Sequence, residues 1–190
     1  GANPGIPGAQ FGVALSITPS AVGAHVYFDN ISITTQPNHA MFMGRVLLEG
    51  PYNSSTGSMS QSLIGLASFP LTEPFSAMGY AQMAGGGGET ISAVLASSSI
   101  VDWVRLELRS ASDPALLVAT RQAVVLTNGF VYDGTGQASR AFFGVPPGNY
   151  YIVVRHRNHL GVMSAAPVYV PNTGAAGDFN DFSSAAYAVW

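Results

Sequence analysis

The 190-residue sequence contains no cysteine and no lysine, and only 9% of its residues are charged. The absence of cysteine excludes disulfides, zinc–thiolate centres and cysteine nucleophiles. All seven basic residues are arginine, and the formal net charge is −3. A nucleic-acid-binding surface needs clustered Lys and Arg to neutralise phosphates, so this charge balance argues against a nucleic-acid partner.

The scarcity of charge also bears on how the surface is covered. Average proteins carry about 25% charged residues, and a soluble monomer keeps both signs over its surface. We therefore predict that much of the surface is covered by further copies of the chain, by glycan, or by both. Two sequons, at Asn30 and Asn53, are possible glycan attachment points, although such triplets arise often by chance.

No run of 18 apolar residues is present, so no membrane span is predicted. The sequence begins at Gly1 without a methionine or a basic leader. We interpret it as a processed form whose signal peptide has been removed, which favours an extracellular or cell-surface location. The length is sufficient for one β-rich domain with a sizeable core and an appended segment.

Strand signals dominate the chain. Short segments rich in β-branched and aromatic residues, residues 44–50 among them, are separated by Gly, Pro, Asn or Ser about every ten residues, which is typical of an antiparallel sandwich. In residues 101–109, "VDWVRLELR", the alternation predicts that Val104, Leu106 and Leu108 share one face. Trp103, Arg105, Glu107 and Arg109 then share the other face. Only residues 58–69 suggest a short helix. The predicted fold class is an all-β antiparallel sandwich.

Two motifs narrow this fold class. Residues 144–154, "GVPPGNYYIVV", place a Pro-Pro-Gly turn before a strand of alternating aromatic and aliphatic residues. This resembles the strand entry of prealbumin-like and related immunoglobulin-like modules of bacterial surface proteins. Over residues 44–182 the sequence is similar to a module of large secreted bacterial proteins, through "VDWVRLELR" and "VRHRNHLGVM" taken together. The resemblance implies an immunoglobulin-like or prealbumin-like β-sandwich over residues 44–190 and a surface location, and it carries no activity.

Residues 1–43 lie outside this resemblance and are interpreted as an N-terminal extension. A Gly/Pro-rich leader precedes a strand over about residues 10–18, whose large apolar side chains share one face. They are Phe11, Val13, Leu15 and Ile17. The strand is either the first of its own sandwich or a donor that completes the sandwich of a neighbouring copy. Burying these side chains contributes roughly 1.5–3 kcal/mol each. Head-to-tail donation between identical subunits propagates into a filament unless it closes into a ring.

The densest polar cluster is residues 155–159, "RHRNH". In a continuous strand Arg155, Arg157 and His159 share one face, and His156 and Asn158 share the other. This spacing separates the two imidazoles unless the chain turns at Asn158, and a third metal ligand is missing nearby. No nucleophile elbow is present either.

We therefore interpret this cluster as a structural one that holds the sandwich together. An arginine of the cluster, Arg155 or Arg157, is expected to pair with a carboxylate such as Asp102 or Glu107. The imidazoles are expected to form hydrogen bonds with loop carbonyl groups. Metal binding and catalysis are the less favoured interpretations.

Two further segments offer candidate binding sites. Asp178, Asn180 and Asp181 carry oxygen ligands for calcium, but the EF-hand spacing and its closing glutamate are absent, so a solvated turn is favoured over a calcium site. Residues 84–89, "AGGGGE", lack the ending of a phosphate-binding loop. They predict a flexible surface loop or a close approach of two backbone segments.

Three functions follow from these observations. The favoured one is a non-enzymatic structural subunit of an extracellular bacterial filament, without cofactor, polymerising through residues 10–18. The second is a carbohydrate-binding or adhesive module of a larger secreted protein, with aromatic residues that stack on sugars, namely Trp103, Tyr80, Tyr132 and Tyr150. The third and least favoured is a hydrolase, with candidate residues Glu73, Glu89, Asp102, His156 and His159.

Overall fold

The structure, a computed structural model, describes residues 39–92, 99–134, 141–172 and 187–189. Within these ranges the chain forms eleven β-strands and no helix, so the predicted all-β class is confirmed. The strands are β1 Met41–Phe42, β2 Tyr52–Asn53, β3 Ser58–Met59, β4 Ile100–Ser110, β5 Leu117–Leu126, β6 Val131–Tyr132, β7 Ala141–Phe142, β8 Gly148–His156, β9 His159–Ser164, β10 Val168–Val170 and β11 Tyr187–Val189.

One seven-stranded antiparallel sheet organises these strands. Its order is β11-β9-β8-β4-β5-β6. Strands β10 and β9 pair with the same edge of β8, β10 with its first residues and β9 with its last residues. The long strand β4 lies in the middle, paired with β5 on one side and β8 on the other. Two small two-stranded sheets, β1 with β7 and β2 with β3, complete the described strands.

The first face of the large sheet carries the main hydrophobic core. Val104, Leu106 and Leu108 of β4 are buried there, as the alternation predicted. Phe42 of β1 and Phe143, which follows β7, pack into the same cluster. The small sheets therefore act as a partial second layer over this face, held by apolar burial.

The second face is covered by a segment with little regular structure, residues 70–92. Trp103 is fully buried against Phe75, and its indole N–H donates a hydrogen bond of 2.8 Å to the carbonyl of Pro70. Glu73 and Glu89 are buried as well, and each accepts hydrogen bonds from backbone amides of this segment. The carboxylates thus accept hydrogen bonds from backbone amides that would pair with a neighbouring strand if this segment were part of a sheet.

Two local predictions differ from the structure. The helix suggested over residues 58–69 is wrong: the segment contains β3 followed by turns. The strand predicted over residues 44–50 is reduced to one bridge between Arg45 and Phe130. The predicted donor strand lies outside the described residues, as do Asp178, Asn180, Asp181 and the sequon at Asn30.

Candidate functional site

The RHRNH cluster lies at a hairpin. Strand β8 ends at His156, Arg157 and Asn158 form the turn, and β9 begins at His159. The register places His156 opposite His159. The prediction that His156 and His159 lie on opposite faces holds only for a continuous strand. It fails here because the chain reverses direction between the two histidines.

The two imidazoles are in direct contact. Their ring centroids lie 4.7 Å apart, and the Nδ1 atoms of His156 and His159 are separated by 2.8 Å. The amide of Asn158 lies 3.1 Å from Nδ1 of His156 and donates to it. On the other side of the ring, Nε2 of His156 lies 3.1 Å from Oδ2 of Asp102. Instead of bonding to loop carbonyls, as expected, His156 links a carboxylate to a second imidazole.

This chain of contacts assigns the protons of the two neutral rings. An ionised Asp102 only accepts, so Nε2 of His156 carries the proton that it donates. Nδ1 of His156 is then an acceptor, in agreement with the Asn158 amide that points at it. The matching proton at the 2.8 Å contact belongs to Nδ1 of His159. Nε2 of His159 consequently presents an unshared electron pair.

Asp102 anchors this arrangement. It is 1% exposed, and Nη2 of Arg157 lies 2.8 and 2.9 Å from its two carboxylate oxygens. The Trp103 amide donates a further hydrogen bond of 2.8 Å. Burial alone would raise the pKa of Asp102, but the hydrogen bonds from His156 and Trp103 and the charge of Arg157 outweigh it, so the pKa lies below its usual value.

Glu107 forms a second ionic centre on the same sheet. It is 2% exposed and accepts from three arginines: Nε of Arg105 at 2.8 Å, Nη2 of Arg109 at 2.8 Å and Nε of Arg155 at 3.1 Å. Burial opposes its ionisation, yet the hydrogen bonds from Arg105 and Arg109 and the charge of Arg155 bring its pKa below the usual value. Arg155 and Arg157 therefore join β8 and its turn to two different carboxylates of β4.

Two concavities meet at the hairpin. A cleft of about 460 Å³ with a mixed polar and apolar lining lies beside residues 60–63, and it is lined by Ser60, Ser62, Leu63, Asn158 and His159 among others. An apolar groove of about 680 Å³ lies between residues 45–49 and the strands β8 and β9. His156, Asn158 and His159 border both.

The hydrolase candidates do not assemble as a group. Asp102, His156 and His159 come together, whereas Glu73 and Glu89 serve the loop segment 70–92 on the second face of the sheet. In the described part of the chain no hydrogen bond joins a hydroxyl group to Nε2 of His159, and no three acidic or histidine side chains converge as a metal site.

The aromatic residues proposed to stack on sugars are mostly turned inward. Trp103 is fully buried. Tyr80 makes an edge-to-face contact with Phe75. The guanidinium carbon of Arg105 lies over the Tyr80 ring, 5.3 Å from the ring centroid. Tyr132 and Tyr150 are partly buried against the two hydrophobic clusters. These four rings do not form an exposed platform.

Sequence reasoning missed strand β9 and both concavities. The signal for β9 was present, since Leu160, Val162 and Ser164 alternate after a polar turn. No family model, curated protein or solved structure matches the chain. Within the described ranges, no helix is long and apolar enough to cross a membrane.

Proposed function

We propose that the protein is a structural subunit of an extracellular bacterial filament. In this proposal the described residues belong to an immunoglobulin-like or prealbumin-like sandwich, and each subunit inserts residues 10–18 into the next copy of the chain. The observation that carries the proposal is the apolar groove between residues 45–49 and the strands β8 and β9.

The groove lies where the second layer of the fold is incomplete. Val154 of β8 and Leu48 pack on the main core, while their neighbours on β9, Leu160 and Val162, are 74% and 37% exposed. Val162 pairs with Val154, so these side chains share one face of the sheet. An apolar strand laid along the groove would bury them, and each such side chain contributes roughly 1.5–3 kcal/mol when fully buried.

The edge of the groove also offers backbone partners. Residues 45 and 46 bond to β6 and its turn through the pair Arg45–Phe130 and the amide of Val46. In the described part of the chain, no hydrogen bond uses the amide or carbonyl of Leu47. An added strand would find here both the apolar lining and free main-chain groups, which are the two requirements of strand addition.

The sequence supplies a strand that fits these requirements. In residues 10–18 large apolar side chains recur at every second position, the period of one face of a strand. Between residue 18 and the first described residue lie about twenty residues, which extend to at most roughly 3.3–3.6 Å each. A folded domain of 150 residues has a radius of gyration of roughly 15 Å. The connection is therefore long enough to reach a neighbouring subunit.

Electron microscopy of the purified protein tests the proposal. We expect filaments from the full chain and none from a chain lacking residues 1–20, and we expect a peptide of residues 9–20 to bind the truncated chain. Leu160→Asp should prevent filament formation, because it places a charge in the groove. Leu116→Asp is the matched control, since Leu116 is also exposed and does not line the groove.

Dispersed particles from the full chain would contradict the proposal. The peptide should bind the truncated chain more tightly than the truncated chain that carries Leu160→Asp. Equal affinity for the two would contradict the assignment of the groove. If the full chain stays monomeric and the added peptide binds only the truncated form, residues 10–18 fill the groove of their own chain, and the filament is ruled out.

A further inference from the structure

The cleft beside residues 60–63 carries an inference that does not depend on strand donation. Its walls come from four parts of the chain: residues 48–51, residues 60–63, the beginning of β4, and the hairpin of β8 and β9. A volume of about 460 Å³ lies within the range of about 300–1,000 Å³ that is typical of small-molecule sites. The chemistry of these walls defines the class of ligand.

His159 supplies an oriented acceptor. Its Nδ1 is engaged with His156, which is in turn fixed by Asp102 and the Asn158 amide, so the ring is held in one tautomer. Nε2, with its unshared electron pair, is the nitrogen left for a ligand. It lies on the side of Gly50, where a methyl group added to the Gly50 Cα would be 3.9 Å from Nε2.

Residues 60–63 supply hydroxyl groups to the same cleft. Ser60 and Ser62 are exposed serines of the cleft, and a hydroxyl both donates and accepts. The Ser62 amide donates to the Ser60 oxygen at 3.3 Å, which leaves both hydroxyl protons available to a ligand. Leu48, Pro51 and Leu63 contribute an apolar side to the same cleft.

The charge of the cleft is balanced internally. Asp102 is the lining residue with a formal charge, and it is neutralised by Arg157 and buried. A charged ligand would therefore find no counterion among the described lining residues, whereas a neutral molecule with several hydroxyl groups and one apolar side matches every wall. A metal ion would meet a single available imidazole nitrogen, which is too few ligands.

We propose that the cleft binds a neutral sugar, with one ligand hydroxyl donating to Nε2 of His159 and others bonded to Ser60 and Ser62. This assigns His159 a binding role through an acceptor that the Asp102–His156 pair holds in place. The aromatic stacking expected from the sequence is not part of this site.

Saturation-transfer NMR on the full chain tests the assignment, and it applies equally to a monomer and to an assembly. The probes are neutral sugars: glucose, galactose, mannose, fucose and N-acetylglucosamine. We expect saturable binding by at least one of them, with a Kd on the order of 1 mM. His159→Ala should weaken that binding about tenfold, the equivalent of one hydrogen bond to a well-oriented acceptor.

Matched variants separate the cleft from other surfaces. Ser62→Leu fills the cleft from an exposed position and should abolish binding, while Ser54→Leu, at an exposed turn outside the cleft, should leave it unchanged. Because Ser62 is exposed, its replacement leaves the fold intact even if His159→Ala does not. No saturable binding by any of the five sugars, or binding that Ser62→Leu leaves unchanged, would overturn the proposal.

Discussion

The Nδ1 atoms of His156 and His159 face each other at 2.8 Å, so only one of them can carry a proton while the contact lasts. On the other side of the His156 ring, Nε2–H donates its hydrogen bond to the Asp102 carboxylate. A proton added to the pair must therefore bind Nε2 of His159, on the side of the cleft, or break the contact.

Stability should fall as the pH drops below about 6.5, the ordinary pKa of histidine. Burial and the neighbouring His156 lower the pKa of His159, against weaker opposing effects of Glu49 and Asp102. Because the folded pKa is depressed, the unfolded chain binds the proton first, and stability is lost from the unfolded pKa down to the folded one. Urea denaturation between pH 7.5 and 5.5 measures this loss.

His159→Gln should remove this dependence, and His39→Gln should retain it. A titration of the His159 ring by NMR provides the direct check. A midpoint above that of an unfolded-chain histidine would contradict the prediction.

A second loss of stability is expected below about pH 4. Burial opposes ionisation of Glu73, Asp102 and Glu107, yet the pKa of each lies below its usual value. Hydrogen bonds lower all three, and neighbouring arginines also lower those of Asp102 and Glu107. Their stabilising contribution is complete above the unfolded values of about 3.9 for Asp and 4.3 for Glu. It disappears as the pH falls through the lower folded values. Melting temperatures measured from pH 6 to pH 2.5 should show this decline, and a flat profile would exclude it.

Asp102→Asn should destabilise the protein by about 3 kcal/mol, since it leaves Arg157 without its buried counterion. Asp113→Asn, at an exposed turn where the side chain accepts one amide, is the matched control and should change stability little. Equilibrium urea denaturation compares the two. Equal midpoints for both variants would show that the Asp102 pair does not stabilise the fold.

Gly86→Ala should destabilise the protein by about 1–3 kcal/mol, the usual cost of overpacking. A methyl group at Gly86 would overlap the hydroxyl and carbonyl of Thr120, so the glycine permits a close approach of the loop to β5. Gly65→Ala meets no atom within 4 Å and should have little effect. Thermal unfolding of the two variants is the measurement. A lower melting temperature for Gly86→Ala alone would show that the contact with Thr120 requires glycine, whereas equal losses would indicate only that the chain prefers glycine in its loops.

The parts of the fold that follow a strict period could be predicted from the sequence. The prediction that Leu106 and Trp103 lie on opposite faces of β4 is confirmed: they belong to two different hydrophobic clusters. Side-chain alternation along a strand is sufficient to predict this. Arg155 contacts Glu107 and Arg157 contacts Asp102, the two carboxylates suggested from the sequence. A chain with so few charged residues offers an arginine few other carboxylates to pair with.

The cleft could not be predicted in the same way. It depends on the reversal at Arg157 and Asn158, a turn without glycine, and on Ser60 and Ser62, which lie in a segment without periodicity. Its walls are brought together by long-range packing, for which a single sequence gives no local signal. The loop segment 70–92 is similar, because buried carboxylates and not a strand pattern hold it in place.

The central position of β4 has a mechanical consequence. Hydrogen bonds to β5 and β8 run along both of its edges, so a pull along the strand axis loads many of them in shear at the same moment. The short pair of β2 and β3 can instead open from its end, one bond after another. Under tension the folded chain would therefore lengthen first by releasing its peripheral strands, while β4 and its neighbours continue to bear the load.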